Sequence, residues 1–307
     1  MTDDTLATAA IRLSSPLRFG ASTVLPVMAV GMVLLVIWYL AAIALNGPRV
    51  TEALNRGGQP YDNATFIAAT WAMERPVLPA PHQIALELWN TTIDKPVDSK
   101  RSLVFHGAVT LSAALAGFVL GTVLGIVLAI GIVHVTTLDR SLMPWIVASQ
   151  TVPILAIAPM IVVVLGNIGL TGLVPKAIIS AYLSFFPVAL GMVKGLRAPD
   201  PLQLDLMRTY SATRTQTFNK LRWPAAMSFL FPGLKVAVAL SLVGAIIAEL
   251  PTGAQSGLGS RLLSGSYYGQ TVQIWAALVM AAILAVTAIG VLSLIERGVV
   301  MARGGRL

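Results

Sequence analysis

"DLMRTYSATRTQTFNKLRWPAAMSFLFPGLK", residues 205–235, lies between two hydrophobic stretches that are each long enough to cross a bilayer, yet it is basic, rich in hydroxyls and patterned for helix. Just upstream, Asp200 followed by Pro201 supplies an N-cap and a first-turn proline, so a helix starts there. Leu202, Leu206, Met207 and Tyr210 then fall near one face, at spacings of three and four. A second short helix starts from Ser211 or Thr213, carries Phe218 and Leu221 inward and ends before Pro224. Two small amphipathic helices meeting at a polar corner make a knob on the surface of a bundle, which a passive loop would not need.

Composition places this knob in a membrane protein. The chain has 307 residues, of which 56% are hydrophobic and 11% charged, far below the roughly 25% charged residues of a soluble domain. There is no cysteine, which excludes disulfides, thiolate metal sites and thiol nucleophiles. The three histidines, His82, His106 and His134, are scattered, so no histidine metal site is expected. The net charge of +8 is spread between apolar stretches and not gathered in one patch, which argues against nucleic acid as a partner.

A crossing needs about 20 apolar residues, and six candidates emerge at 23–45, 109–133, 143–166, 172–193, 225–250 and 272–295. The first exceeds the roughly 7–15 apolar residues of a signal peptide and reads as a retained anchor. Cytoplasmic loops carry the excess of Lys and Arg. With the N-terminus inside, the cytoplasmic segments hold Arg12, Arg18, Arg140, Lys194, Arg197, Arg208, Arg214, Lys220, Arg222, Arg297, Arg303 and Arg306, whereas the two short outer loops hold only Lys176 and Arg261. Both termini are then cytoplasmic. The chain divides into a cytoplasmic segment 1–22, an anchor 23–45, an outer segment 46–108, a five-helix core 109–295 containing the corner at 199–224, and a cytoplasmic tail 296–307. In the outer segment "NRGGQPYDNAT" is turn-rich, while "LPAPHQIALELWN" is Pro-led and amphipathic, a short interfacial helix with Trp89 at the boundary. It is either a packing elbow or a lid over a ligand.

Within the third crossing, Pro153 and Pro159 free the carbonyls of Ser149 and Leu155. Freed carbonyls in lipid must be re-satisfied, so Ser149, Gln150 and Thr151 either line a pathway or bond helices together. Ser241, also polar and uncharged, is a further pathway candidate. Lys235 can snorkel toward the cytoplasm. Glu249 is expected at the outer interface, as a structural partner or a substrate contact. Ala113, Gly117, Gly121 and Gly125, four residues apart, form a small-residue stripe for close helix packing. The chain contains no G-x-S-x-G elbow, H-E-x-x-H or Walker A pattern, and no paired carboxylates appear inside the crossings. It carries no sign of an enzyme, and without internal repeats a secondary transporter or channel gains little support.

The corner resembles the EAA loop of binding-protein-dependent ABC importer permeases. Asp205 stands for the acidic start, Ser211 and Ala212 for the small-residue corner, and Pro224 for the closing proline. This chain departs from the pattern at Met207 and Arg208, which replace a small pair, at Ser211, which replaces Gly, and at Trp223, which replaces Leu. The stretches "LPAPHQIALELW", "FHGAVTLSAALAGFVLGTVLGIVLAIGI", "VPILAIAPMIVVVLGNIG", "FFPVALGMVKGLRAPDP", "IIAELPTGAQSGLG" and "LIERG", covering about residues 78–297, are similar in order to the nitrate, sulfonate and taurine type. The resemblance implies an all-α integral membrane fold of six transmembrane helices, with an outer elbow helix and a cytoplasmic two-helix coupling loop. It also implies a bacterial inner-membrane permease paired with a second copy of itself, served by ABC ATPase subunits holding ATP and magnesium, and loaded by a periplasmic binding protein. Met207, Tyr210 and Phe218 are the expected anchors on the ATPase. The cargo would be a sulfonate, taurine or nitrate-like anion, or alternatively a pyrimidine precursor or flavin.

Overall fold

The stripe of small residues on α4 (Leu103–His134) leaves bare backbone along one side, and α7 (Leu173–Arg197) lies against it. A Cβ placed on Gly117, Gly121 or Gly125 would come within 2.7 Å of the Ala177 carbonyl, 2.8 Å of Ala181 O or 2.8 Å of Phe185 O, respectively. α10 (Trp223–Glu249) clasps the other side of α7 in the same way, with Gly195 against Ala226 and Gly233 against the Pro187 carbonyl. Lipid tails are as apolar as leucine, so close packing of this kind has to supply the cohesion that water would otherwise drive. α4, α7 and α10 thus form the core, with Ile132, Val188, Met192, Leu196 and Ala226 buried at one end of it.

The computed structural model describes residues 21–58, 60–251 and 256–302, and among these it contains helices and their connections with no strand. Arg12, Arg18, Arg303 and Arg306, expected on the cytoplasmic side, lie outside the described residues. α1 (Ala21–Arg56) runs past the expected end of the anchor at residue 45, and α2 (Asn63–Trp71) and α3 (Pro81–Thr92) fold back beside its second half. Asn46, fully buried, fixes that return. Its Nδ2 donates to the carbonyls of Thr70 and Leu78, and its Oδ1 accepts from the amides of Val77 and Leu78. α3 is the expected Pro-led helix, with Ile84 buried and Trp89 exposed. α11 (Leu258–Tyr267) and α12 (Thr271–Ala302) complete the chain.

The third crossing, expected over 143–166 with its backbone disturbed at Pro153 and Pro159, is broken outright at the first of these. α5 (Thr136–Ser149) and α6 (Ile154–Asn167) meet at 100°. Pro153 has no amide hydrogen to give to Ser149, and it takes the extended N-cap position of α6 instead. Val135 alone separates α4 from α5, and α6 leads on to α7. Among the described residues five helices are long and apolar enough to cross a membrane, and the bent pair counted as one span gives six.

Candidate functional site

The connection between α7 and α10 is the corner anticipated from its sequence. α8 (Pro201–Thr209) is capped by Asp200, whose Oδ1 accepts from the Leu202 amide at 2.7 Å while Gln203 reaches back to the Asp200 amide. At its far end, the Ser211 amide donates to Arg208 O at 2.8 Å and the Ala212 amide to Met207 O at 2.9 Å. This pair of bonds makes a Schellman stop, whose second residue must turn left-handed. Ser211 does so at φ 51°, and among the described residues it is the one non-glycine with positive φ. α9 (Arg214–Thr217) is boxed by Thr213 and Gln216, each accepting from the other's amide.

The second helix does not end before Pro224. It passes through a π turn, Phe218–Arg222, in which the Trp223 amide reaches back to Phe218 O, and continues directly into α10. The wider turn shifts the register where Pro224 has no donor, so a proline that would break an α-helix is absorbed. The corner is therefore continuous with α10 and is not hinged from it.

Its exposed side carries an apolar row among polar neighbours. Leu202, Leu206 and Tyr210 stand four residues apart on α8 and are exposed at 77%, 55% and 77%. Asp205 and Arg208 pair with each other at 2.7 Å in full solvent, a contact worth little. Met207 and Ala212 are half-buried, while Ser211 and Pro224 are exposed. Phe218 turns inward, its ring 5.4 Å from that of His134 and 5.8 Å from that of Trp223, packed on the core cluster beneath.

At the broken crossing, the Ser149 carbonyl freed by Pro153 accepts from the Tyr182 hydroxyl of α7 at 2.5 Å. The Ser149 hydroxyl donates to Ile146 O and that of Thr151 to Ala148 O; Ser149 is half-buried, and Gln150 and Thr151 are exposed. At the other end of α5, Asp139 pairs with Arg197 at 2.8 Å. Ser241 is fully buried, and its hydroxyl donates to Val238 O of its own helix. It sits inside the chain, facing no open surface, because the close packing of α10 closes over it.

Glu249, expected at the outer interface as a structural partner or a substrate contact, is fully buried within the protein, and Lys176, expected in an outer loop, is buried beside it at 3.2 Å. The Thr110 hydroxyl lies 3.0 Å from the carboxylate, and the Gly259 amide donates to it at 2.9 Å. Next to this pair, the Gly257 amide donates to His106 Nδ1, whose Nε2 faces Lys100 O. These bonds place the imidazole proton on Nε2. The set pins the turn at 256–259 to α4, α7 and α10, so these charged and polar groups are already occupied in holding the structure together. A buried charge requires a partner. The 73-residue separation of Lys176 and Glu249 gives no local sign that they pair. Tyr182 and Asp139 carry no local sign of their partners either, and Arg197 enters the sequence reading only as a cytoplasmic charge, although the freed carbonyl of Ser149 calls for some donor.

A six-crossing helical bundle with a capped two-helix corner on one face and a bent crossing in its middle defines the class: a multi-pass membrane component of a transport system. The chain belongs to the family of binding-protein-dependent transport system inner membrane components, whose family model matches residues 121–300. It is 30% identical over 229 residues to the formylaminopyrimidine transport permease protein ThiX of Halalkalibacterium halodurans, covering 74% of this chain and 76% of that one. It is 30% identical to the riboflavin transport system permease protein RibX of Chloroflexus aurantiacus, covering 72% and 78%. A putative aliphatic sulfonates transport permease protein, SsuC of Bacillus subtilis, is 26% identical over 72% of this chain and 76% of its own length. A solved structure described as an amino acid ABC transporter with histidines shares the fold, with a TM-score of 0.54 at 19% identity, over 64% of this chain and 92% of that one. The protein is a non-catalytic permease subunit of the ABC importer family.

Proposed function

We propose that this permease forms one half of a translocation pathway, paired with a second copy of itself, and that the corner at 199–224 is the handle by which an ATPase subunit moves it. The observation that carries this reading is the exposed apolar row Leu202, Leu206 and Tyr210 on a helix capped at both ends. A rigid amphipathic helix with anchors at such spacing suits a groove on a partner protein. Met207 flanks that row, Asp205 and Arg208 lie on the same exposed helix, and Ser211 and Ala212 set the turn. Phe218 and Pro224 act from beneath, tying the handle to the core and to α10. ATP and magnesium belong to the ATPase partner, and a periplasmic binding protein delivers the cargo.

The corner faces the cytoplasm in this reading, since Arg140, Lys194, Arg214, Lys220 and Arg222 gather at its end. The protein then lies in the bacterial inner membrane with both termini cytoplasmic. Lipid covers the apolar outer faces of α1 and α12. The exposed apolar side of α6, with Met160, Val163 and Val164, meets the second copy. Ser149, Gln150 and Thr151 border the pathway at the bend. The cargo is a small solute, in the first reading an anion of the sulfonate, taurine or nitrate kind. The relatives at 30% identity, named for formylaminopyrimidine and riboflavin, favour a second reading, a heteroaromatic vitamin or its precursor.

The test is uptake in proteoliposomes containing the permease, its ATPase and its binding protein. Leu206→Asp and Tyr210→Asp are expected to abolish ATP-driven uptake while the permease still folds and inserts. Undiminished uptake by both variants would remove the handle from the reading.

A further inference from the structure

The connection between α2 and α3 is fastened more firmly than a link between two helices requires. Residues 72–80 belong to no helix, yet side chains from α1 and α3 hold their backbone. Asn46 takes the Val77 and Leu78 amides, Trp38 Nε1 donates to Pro79 O at 3.1 Å, and Gln83 donates to Met73 O at 2.9 Å while accepting from the Ala80 amide at 3.0 Å. Pro76, Pro79 and Ala80 are buried. A loop pinned in this way presents its exposed side chains in fixed positions. What it presents is charge. Glu74 and Arg75 stand exposed on it and, with Glu87 of α3 and with Gln270 and Gln273 beside the start of α12, line a cleft of about 270 Å3. The five ion pairs among the described residues involve none of these three charges. Arg261 of α11, whose carbonyl takes the Gln273 side-chain amide at 3.4 Å, is half-buried with its Nε unpartnered.

We propose that this cleft is the seat of the binding protein on the permease, taking a lysine or arginine of that protein between Glu74 and Glu87 and a carboxylate against Arg75. The inference rests on the reading of this chain as a permease loaded from outside, and its family is named for dependence on a binding protein. Position supports it. α11 starts beside Glu249, at the end of α10 farthest from the corner, so the cleft opens on the face opposite the proposed ATPase handle. The second copy leaves it open in that reading: α6, whose exposed side meets the copy, packs on Ile179 and Ala248, whereas Ile84 of α3 and Ala276 of α12 belong to a separate cluster with Leu103 and Leu258. Chemistry supports it too. A small-molecule site is usually larger and mostly apolar, whereas charges held around a small polar cleft steer a protein partner and fix its register. The pinned backbone also spares the cost of ordering a loop when the partner arrives.

The test titrates the cargo-loaded binding protein against the permease–ATPase complex in proteoliposomes and reads the stimulated ATPase rate. Glu74→Lys with Glu87→Lys should raise the half-saturating concentration of binding protein about tenfold or more while the maximal rate is retained. Asp94→Lys with Asp98→Lys makes the same charge change on exposed residues of the outer segment that do not line the cleft, and should leave that concentration unchanged. Higher ionic strength should weaken the association of the unsubstituted permease and strengthen that of the cleft variant, because screening removes an attraction in the first and a repulsion in the second. A misfolded permease would lose maximal rate instead, which keeps the two failures apart. A half-saturating concentration unmoved by the cleft reversal, as a cleft filled by a lipid headgroup would give, overturns the docking and leaves the permease reading standing. So does an equal shift from the Asp94 and Asp98 pair, which would make the effect one of net charge alone. If the wild-type complex does not respond to its binding protein at all, the reading of a permease loaded from outside falls, and the docking with it.

Discussion

At position 211 a serine holds a left-handed backbone conformation that costs an L residue roughly 1–2 kcal/mol. Glycine meets the same Schellman geometry without that penalty. Ser211→Gly should therefore slow amide exchange across residues 205–215, and Ser211→Val should accelerate it, as read by hydrogen–deuterium exchange. The opposite order would mean that the φ of 51° is not what limits the turn. The buried pair calls for a different reading. Glu249→Ala leaves the Lys176 ammonium in the interior without its carboxylate, a loss of about 3–5 kcal/mol. The double variant Lys176→Met with Glu249→Leu removes the uncompensated charge and should melt above Glu249→Ala in detergent but below the unsubstituted protein, because the Thr110 hydroxyl and Gly259 amide lose their acceptor; equal melting of the single and double variants would refute the pairing. The cap Asp200 was legible from residue type alone, and the second cap was narrowed to Ser211 or Thr213, of which the structure uses Thr213, because a capping side chain needs only its own neighbours. Glu249 was not, because its partners come from α4, α7 and the turn at 256–259, and hydropathy cannot distinguish a charge at an interface from one sealed inside.

Elements show the same division. The stripe Ala113–Gly117–Gly121–Gly125 announced a close helix contact, and α7 occupies it. Replacing Gly121 by Ala places a Cβ 2.8 Å from the Ala181 carbonyl, so the helices must part, at a cost of about 1–3 kcal/mol. Gly31 on α1 has nothing within 4 Å, and Gly31→Ala should be neutral or stabilising by about 0.5–1 kcal/mol. Melting curves of the two variants side by side separate packing from helix propensity; similar losses in both would deny the stripe its role. The bent crossing was half legible. Pro153 marked the disturbed point, but a proline alone does not say whether a helix kinks or stops, and Tyr182 on another element stabilises the stopped form. The reverse held at Pro224, where an expected end became continuous helix because a π turn took up the missing donor.

For the molecule as a whole, the charge asymmetry between its two faces argues which way it sits. The corner end gathers Arg140, Lys194, Arg197, Arg208, Arg214, Lys220 and Arg222, whereas Lys176 at the opposite end is neutralised by Glu249 within the protein. Basic residues beside crossings resist translocation, so the corner should stay in the cytoplasm, where an ATPase can reach it. Single cysteines at Thr209, Thr215 and Tyr267 report this without background, since the chain has none of its own. Thr209 and Thr215 are exposed on the corner, and Tyr267 is 79% exposed at the end of α11. A membrane-impermeant maleimide applied to spheroplasts should label Tyr267→Cys and leave Thr209→Cys and Thr215→Cys unmodified, and inside-out vesicles should reverse the pattern. Labelling of the corner from outside would invert the topology and place the apolar row of α8 beyond the reach of any cytoplasmic motor.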